Sequence, residues 1–280
     1  MFKLFKKDKI ENIDNIFNYL ADKYGGGTDP WGLNFKRAKK YLNMIFPVFK
    51  NYFKVRTFGI ENVEDKQYMV VSNHSGQIAI DGLMIGTAFA TQVWPPRILR
   101  PMVERFFTNL PFINKWASEC GSVLGDRDNC QNLLERGESL LIFPEGVRGV
   151  AKSTKDFYHV QPFTKGFYRM ALKANIEILP VAVVGAEETF PYVYQAKGLA
   201  KMLGMPAMPL SANYFPLPSP MDIHIGKPIK VEQSLIDQDP SDKELDEHIE
   251  KIQATIQEML NQGLKNRRNY IFKKRGNKNE

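Results

Sequence analysis

Among 280 residues, His74 and Asp81 are the pair whose types and spacing best suit proton chemistry. Imidazole titrates nearest neutrality, so it can take a proton and return it. A carboxylate on its other ring nitrogen fixes the tautomer and stabilises the imidazolium. The two residues lie seven positions apart in the stretch YMVVSNHSGQIAID, Tyr68 to Asp81. On one straight helix that spacing separates them by about 10 Å along the axis. They meet only if the turn Asn73 to Gln77 folds back, which Gly76 permits. Met69-Val70-Val71 reads as a strand, Ser72 to Gly76 as a polar turn, and the segment from Ile78 as a helix with Asp81 in its first turn. The carboxyl end of a strand is where α/β proteins present functional side chains. A histidine that only caps a strand-to-helix turn fits the same residues, and the spacing leaves both readings open.

Three blocks follow in the chain. Gly121 to Arg127 reads GSVLGDR, with an arginine just past a strand end. Phe143 to Arg148 reads FPEGVR, a buried strand delivering Glu145, Gly146 and Arg148 to a tight turn. Leu179-Pro180-Val181-Ala182-Val183 is an apolar strand with a proline near its start. Guanidinium groups at strand ends suit a bidentate grip on phosphate oxygens. Each arginine taken singly fits a surface ion pair equally well. Two arginines and a glycine-flanked Glu145 downstream of a His–Asp pair are a rarer combination. No G-x-S-x-G elbow occurs, and neither Cys120 nor Cys130 neighbours a histidine in sequence.

The elements that must position these residues alternate strand and helix from Gln67. Strands are expected at Tyr68 to Val71, Arg97 to Arg100, Gly121 to Leu124, Ser139 to Phe143, Ile178 to Val184 and Met221 to Ile225. Helices are expected at Gly82 to Thr91, Asp126 to Arg136 and Lys165 to Ala174, with two short ones within Met102 to Ala117. Such alternation implies an α/β fold: a mainly parallel central sheet flanked by helices. At the C-terminus, Ser241 and Asp242 open a helix. Its apolar stripe is Leu245, Ile249, Ile252, Ile256 and Met259, and Gly263 follows its last turn.

Residues 1–60 read as a basic amphipathic helical appendage. A first helix carries Ile10, Ile13, Phe17, Leu20 and Tyr24 and ends at Gly25-Gly26-Gly27. A second opens at Asp29-Pro30 with Asp29 as its cap, and Pro47 kinks it. Its aromatic residues interleave with Lys36, Arg37, Lys39, Lys40, Lys50 and Lys54, which suits an anionic membrane interface as well as a solvated surface helix. The divisions expected are 1–60, an α/β domain over 61–264, and a basic tail over 265–280 with Arg267, Arg268, Lys273, Lys274 and Arg275.

The net charge of +7 and pI near 9.2 favour anionic partners. Two cysteines make neither a disulfide framework nor a metal-ligand spacing. The N-terminal lysines are followed by no apolar signal-peptide region. The uncharged run Met202 to Met221 holds five prolines, so a spanning helix is not expected there. That run suits an irregular surface against lipid, a wall for an apolar ligand, or a core-covering loop. Nucleic-acid binding has no stacking platform or recognition helix to support it.

The four blocks together resemble the glycerolipid acyltransferases related to 1-acylglycerol-3-phosphate acyltransferase. That family carries Asn-His, a spacer and Asp, here Asn73-His74 to Asp81. It carries a Gly with an Arg six residues on, here Gly121 and Arg127. It carries Phe-Pro-Glu-Gly-Thr-Arg-Ser, here FPEGVRG from Phe143 to Gly149, and an apolar strand with a proline, here at Pro180. The resemblance implies transfer of an acyl group from acyl-CoA or acyl carrier protein to a glycerolipid hydroxyl, with no other cofactor and no metal. The acceptor it implies is 1-acylglycerol-3-phosphate or another lysophospholipid. It makes His74 the general base and Asp81 its orienter. It gives Arg127, Glu145, Gly146 and Arg148 the phosphate and glycerol of the acceptor. It also implies a peripheral place on the cytoplasmic face of a membrane. Six residues separate His74 from Asp81 where the family commonly has four, and Val147 and Gly149 replace two hydroxyl residues. Those departures keep neutral acceptors open, namely mono- or diacylglycerol or a wax alcohol. A non-enzymatic protein that binds anionic membranes is the remaining alternative.

Overall fold

The structure, a computed structural model, describes residues 13–75, 79–105, 113–191, 193–202, 209–213, 215–236, 238 and 240–267. Its helices are α1 (Ile13–Tyr24), α2 (Phe35–Pro47), α3 (Ile80–Thr91), α4 (Ile113–Glu119), α5 (Arg127–Glu135), α6 (Val147–Val150), α7 (Gly166–Ala174), α8 (Lys197–Met202) and α9 (Asp242–Lys265). Its strands are β1 (Arg56–Phe58), β2 (Met69–Ser72), β3 (Arg100–Val103), β4 (Val123–Leu124), β5 (Leu140–Ile142), β6 (Ile178–Val184), β7 (Val193–Gln195), β8 (Pro209–Ser211) and β9 (Asp222–Ile225).

Seven strands form one sheet in the order β1-β9-β6-β2-β5-β3-β4, while β7 and β8 pair antiparallel apart from it. From β6 to β4 the sheet is parallel; β9 then runs antiparallel to β6, and β1 parallel to β9. Strands covered on both faces carry continuous apolar runs, and successive residues of a strand serve opposite faces. On β6, Ile178, Ala182 and Val184 pack toward α5, α7 and α9, while Leu179, Val181 and Val183 pack toward α3 and the segment around Phe49. On β2, Met69 and Val71 face the first group and Val70 the second. The sheet centre is thereby held on both sides, and the loops beyond the carboxyl ends of β2, β5 and β6 stand on a rigid base.

Several expectations meet a different local arrangement. The strand expected at Arg97 to Arg100 runs instead over Arg100–Val103, so Met102 and Val103 are strand residues and not the start of a helix. Of the two short helices expected there, α4 is described, and residues 106–112 lie outside the described residues. Asp29 does not cap α2. Asn34 does, accepting from Arg37 N, while Asp29 accepts from Trp31 N and Leu33 N and pairs with the buried Arg100. Pro30 and Gly32 lie in a loop that doubles back before the helix can begin. Gly263 does not follow α9 but lies within it. A Cβ there would come 2.8 Å from His224 Nε2, so the bare backbone lets the helix approach β9. The buried stripe correspondingly closes on Leu260, with Met259 at its edge.

β1 lies on the N-terminal side of the expected boundary at residue 60 and joins the sheet, and Phe49 and Phe53 are core residues. The tail residues Arg268 to Arg275 lie outside the described residues, as do Ile10 and Gly76. Among the described residues no helix is long and apolar enough to cross a membrane.

Candidate active site

Parallel pairing sets the site. β2 and β5 run side by side with Val71 opposite Ile142. The chain therefore leaves both strands at the same level, and His74 arrives beside Glu145. Asn73 closes the other side: its carboxamide accepts from Val183 N at 2.8 Å and donates to Val183 O at 3.2 Å. It acts there as a substitute strand residue against β6.

Asp81 meets His74 as the spacing required. His74 Nδ1 lies 2.8 Å from Asp81 Oδ2. Asp81 sits in the first turn of α3, fully buried, and accepts further from Ser75 N, Ser75 Oγ and Gly82 N. An acceptor-only carboxylate opposite Nδ1 puts the ring proton on that nitrogen and leaves Nε2 with its lone pair. Among the described residues nothing hydrogen-bonds Nε2, and it is not a buried orphan. The imidazole is 10% exposed, so one edge reaches out of the fold. Its face stacks on Phe143, with ring centroids 4.2 Å apart and planes at 22°. Gly82 makes room for that ring, since a Cβ there would stand 3.3 Å from Phe143.

Glu145 departs from the expected acceptor-holding role. Its side chain is buried, and both oxygens are taken by the protein. Oε1 accepts from His74 N at 2.7 Å; Oε2 accepts from Gln161 N at 2.7 Å and pairs with Lys152 Nζ at 2.9 Å. Gly146, with φ +55°, turns the chain from β5 into α6, a conformation that favours glycine. Gly149 packs against the histidine: a Cβ there would lie 2.6 Å from His74 Cβ. The missing hydroxyl noted in the sequence is thus a steric requirement of this turn.

Arg127 stands exposed at the start of α5, and Arg148 stands exposed in α6 with Nη2 donating to Pro162 O at 2.7 Å. Arg127 and Gly146 line one cleft of ≈ 1110 Å³, whose wall also includes Ile142 and Phe143. Phe143 therefore presents one face to His74 and forms part of the cleft wall. The structure brings Arg127, Gly146 and Phe143 to this cleft; His74, Asp81, Glu145 and Arg148 are not among its lining, and Phe143 stands between the cleft and the His74 ring.

A buried charge cluster behind His74 was not legible in the sequence. Lys152 Nζ reaches Glu145 Oε2, His74 O at 3.0 Å and Glu187 Oε1 at 3.4 Å. Glu187, just past β6, accepts also from Tyr158 N. Burial works against the Lys152 charge, but the Glu187 and Glu145 carboxylates outweigh it and hold its pKa above the ordinary range. Burial pushes the Glu187 carboxyl up to about 7, with Lys152 offsetting part of the rise. Lys152 lies outside every motif and 78 positions from His74, so no spacing signals it. Among the described residues no group of His, Cys, Asp and Glu is placed to hold a metal ion.

The acyltransferase family model matches residues 54–184, the span from β1 to the end of β6. An uncharacterized protein of Mycobacterium tuberculosis is 32% identical over 265 residues, covering 91% of this chain and 72% of the relative. The 1-acyl-sn-glycerol-3-phosphate acyltransferase of Chlamydomonas reinhardtii is 28% identical over 161 residues, covering 55% of this chain and 46% of the relative. The fold matches the crystal structure of the 1-acyl-sn-glycerophosphate acyltransferase of Thermotoga maritima. The TM-score is 0.54 at 20% identity, over 92% of this chain and 97% of that one. With its His–Asp pair, its Phe-Pro-Glu-Gly turn and these relatives, the chain belongs to the acyltransferase family related to 1-acylglycerol-3-phosphate acyltransferase.

Proposed function

We propose that this acyltransferase moves a fatty acyl group from acyl-CoA, or from acyl carrier protein, to the hydroxyl of a lysophospholipid. The observation that carries the reading is the His74 Nδ1 to Asp81 distance of 2.8 Å with Nε2 left unpaired among the described residues. Nε2 takes the proton of the acceptor hydroxyl as its oxygen attacks the thioester carbonyl. The tetrahedral intermediate collapses to the ester, and the departing thiolate recovers the proton from the imidazolium. Asp81 stabilises that imidazolium and keeps the ring from turning. Arg127 supplies a planar, permanent cation to the cleft beside Phe143, suited to a phosphate oxygen pair. Gly146 lines the same cleft, and Arg148, exposed in α6, donates to Pro162 O.

The test is direct. Purified protein is incubated with acyl-CoAs of graded length and with lysophosphatidate or monoacylglycerol, and products are read by mass spectrometry. His74→Ala is expected to lower turnover by roughly 10²- to 10⁴-fold, the usual worth of a general base. Ordinary turnover in His74→Ala would end the base assignment. Neutral acceptors form the second reading, favoured by Val147 and Gly149, which leave the turn after Gly146 without hydroxyl donors. Arg127→Ala distinguishes the two: KM for lysophosphatidate rises, while KM for monoacylglycerol stays. Faster wild-type turnover of monoacylglycerol supports the second reading.

The substrates of such a reaction reside in lipid, and the surface suits an anionic one on the cytoplasmic face of a membrane. Residues 35–58 hold seven Lys and Arg and no acid, with Lys36, Lys40 and Lys50 exposed. Exposed apolar side chains lie nearby in chain and space. Met44 is 61% and Tyr52 41% exposed, and the Tyr52 hydroxyl donates to Pro216 O beside Phe215, itself 83% exposed. Aromatic and basic side chains together suit a peripheral contact with headgroups.

A further inference from the structure

We propose that Lys152 is a positioning residue for this site, gripping the His74 backbone jointly with Glu145 so that Nε2 stays aimed at the acceptor. The inference rests on the reading of His74 as the base. Its own support is geometric. Glu145 Oε1 accepts the His74 N–H at 2.7 Å, and Lys152 Nζ donates to the His74 carbonyl at 3.0 Å. Both backbone groups of one residue are thus held by two side chains, and those side chains are bonded to each other at 2.9 Å. An ammonium has three N–H donors, and three acceptors surround this one: Glu145 Oε2, Glu187 Oε1 and the His74 carbonyl.

The grip completes a set of restraints. Asp81 fixes the ring at Nδ1, Phe143 stacks on its face, and Gly149 presses on Cβ. Asp81 also holds the N–H of the peptide after His74, through Ser75 N at 2.8 Å, but none of these holds its carbonyl. Lys152 does, from a side chain 2% exposed. Balancing two buried carboxylates would by itself account for a lysine here. It does not account for the third N–H ending on the carbonyl of the one residue that must be aimed. A displacement of about 1 Å at a reacting group costs on the order of 10²-fold in rate, which sets the size of the expected effect.

The discriminating variant is Lys152→Met combined with Glu187→Gln in the full chain. It removes one cation and one carboxylate charge together, so charge balance is kept while the bond to the His74 carbonyl is lost. Thermal melting, steady-state kinetics with acyl-CoA and lysophosphatidate, and ring ¹⁵N spectra of histidine-labelled protein are measured. The four histidines make the spectra assignable, with His74 identified by its loss in His74→Ala. The expected result is a melting temperature near wild type, kcat lower by about 10²-fold with both KM values unchanged, and a changed His74 ring signal. Glu187→Gln alone, which leaves the carbonyl contact in place, is expected to keep wild-type kcat. Restoration of wild-type kcat and an unaltered His74 signal in the double variant would show that Lys152 only balances charge and would overturn the proposal. If the double variant does not fold, Lys152→Arg decides, because it keeps the buried cation but not the three-way geometry. Lower kcat at unchanged KM supports the grip, and wild-type kcat overturns it. If wild-type protein transfers no acyl group to any acceptor tested, the functional reading fails, and the ring spectra still decide whether Lys152 orients His74.

Discussion

Asp81 satisfies four donors from a fully buried position, among them the ring it orients. Replacing it by Asn substitutes an amide whose NH₂ cannot accept, so Nδ1–H loses its preference and the tautomer that leaves Nε2 basic is no longer enforced. Asp81→Asn is expected to lower kcat by orders of magnitude while leaving the melting temperature within a few degrees. Gly149→Ala places a methyl 2.6 Å from His74 Cβ. Overpacking of this kind costs about 1–3 kcal/mol, and here it displaces the base itself, so stability and kcat should fall together. Glu187 provides a pH signature. Its carboxyl is raised from 4.5 to about 7, so between those values the folded protein holds a proton that the unfolded chain has released. Stability from this group is therefore present below pH 4.5 and is lost as pH rises to about 7, with a slope of at most about 1.4 kcal/mol per pH unit. Melting temperatures at pH 6 and pH 8, compared for wild type and Glu187→Gln, check this. The variant should lose less stability on going to pH 8.

Elements bring these residues into register. α9 opens with a reciprocal capping box between Ser241 and Glu244 and buries Leu245, Ile249, Ile252, Ile256 and Leu260 against the sheet. Loss of a cap costs about 1 kcal/mol, and a buried Ile→Ala change about 2–5 kcal/mol. Chemical denaturation of Ser241→Ala and Ile252→Ala should therefore rank them in that order, the second well beyond the first. Ile252 packs in the cluster on the α9 face of the sheet, while Asp81 is carried by α3 on the other face, so truncation of Ile252 should lower stability without touching the His74–Asp81 contact. The strand-helix alternation, the span Ile178–Val184 and the apolar stripe of α9 were legible in the sequence, because a continuous apolar run and period-3.6 burial leave a direct mark. The start of α2 was not. Asp29 has the residue type of a cap, but its carboxylate serves Trp31, Leu33 and Arg100 instead, a demand that comes from across the fold.

At the scale of the whole molecule, charge and exposed apolar surface point the same way. The net charge is +7, and the segment 35–58 carries no acid. Co-sedimentation should show binding to vesicles rich in anionic lipid and little to neutral ones, weakening as salt shortens the screening length to about 8 Å near physiological strength. Phe215→Ser should weaken that binding while leaving turnover of a water-soluble short-chain acceptor near wild type. Equal binding to neutral and anionic vesicles would count against an electrostatic contact. The described part of the N-terminal segment contributes to the body of the fold as well as to its surface. Phe49 and Phe53 enter the core, and Arg56 of β1 pairs with Asp222 of β9.

The sequence by itself determined the family, the α/β architecture and the identity of the His–Asp pair. Each depends on residue type and spacing along the chain, and local geometry converts spacing into periodic burial and strand-end placement. Only the tertiary structure decided that Glu145 turns inward to the backbone of His74, that Gly149 is required by a close approach, and that Lys152 and Glu187 stand behind the base. Those contacts join β2, the turn after β5, the segment after α6 and the end of β6, brought together by parallel strand pairing. Parallel pairing joins residues far apart in the chain, and no local spacing encodes which buried lysine will face which carbonyl.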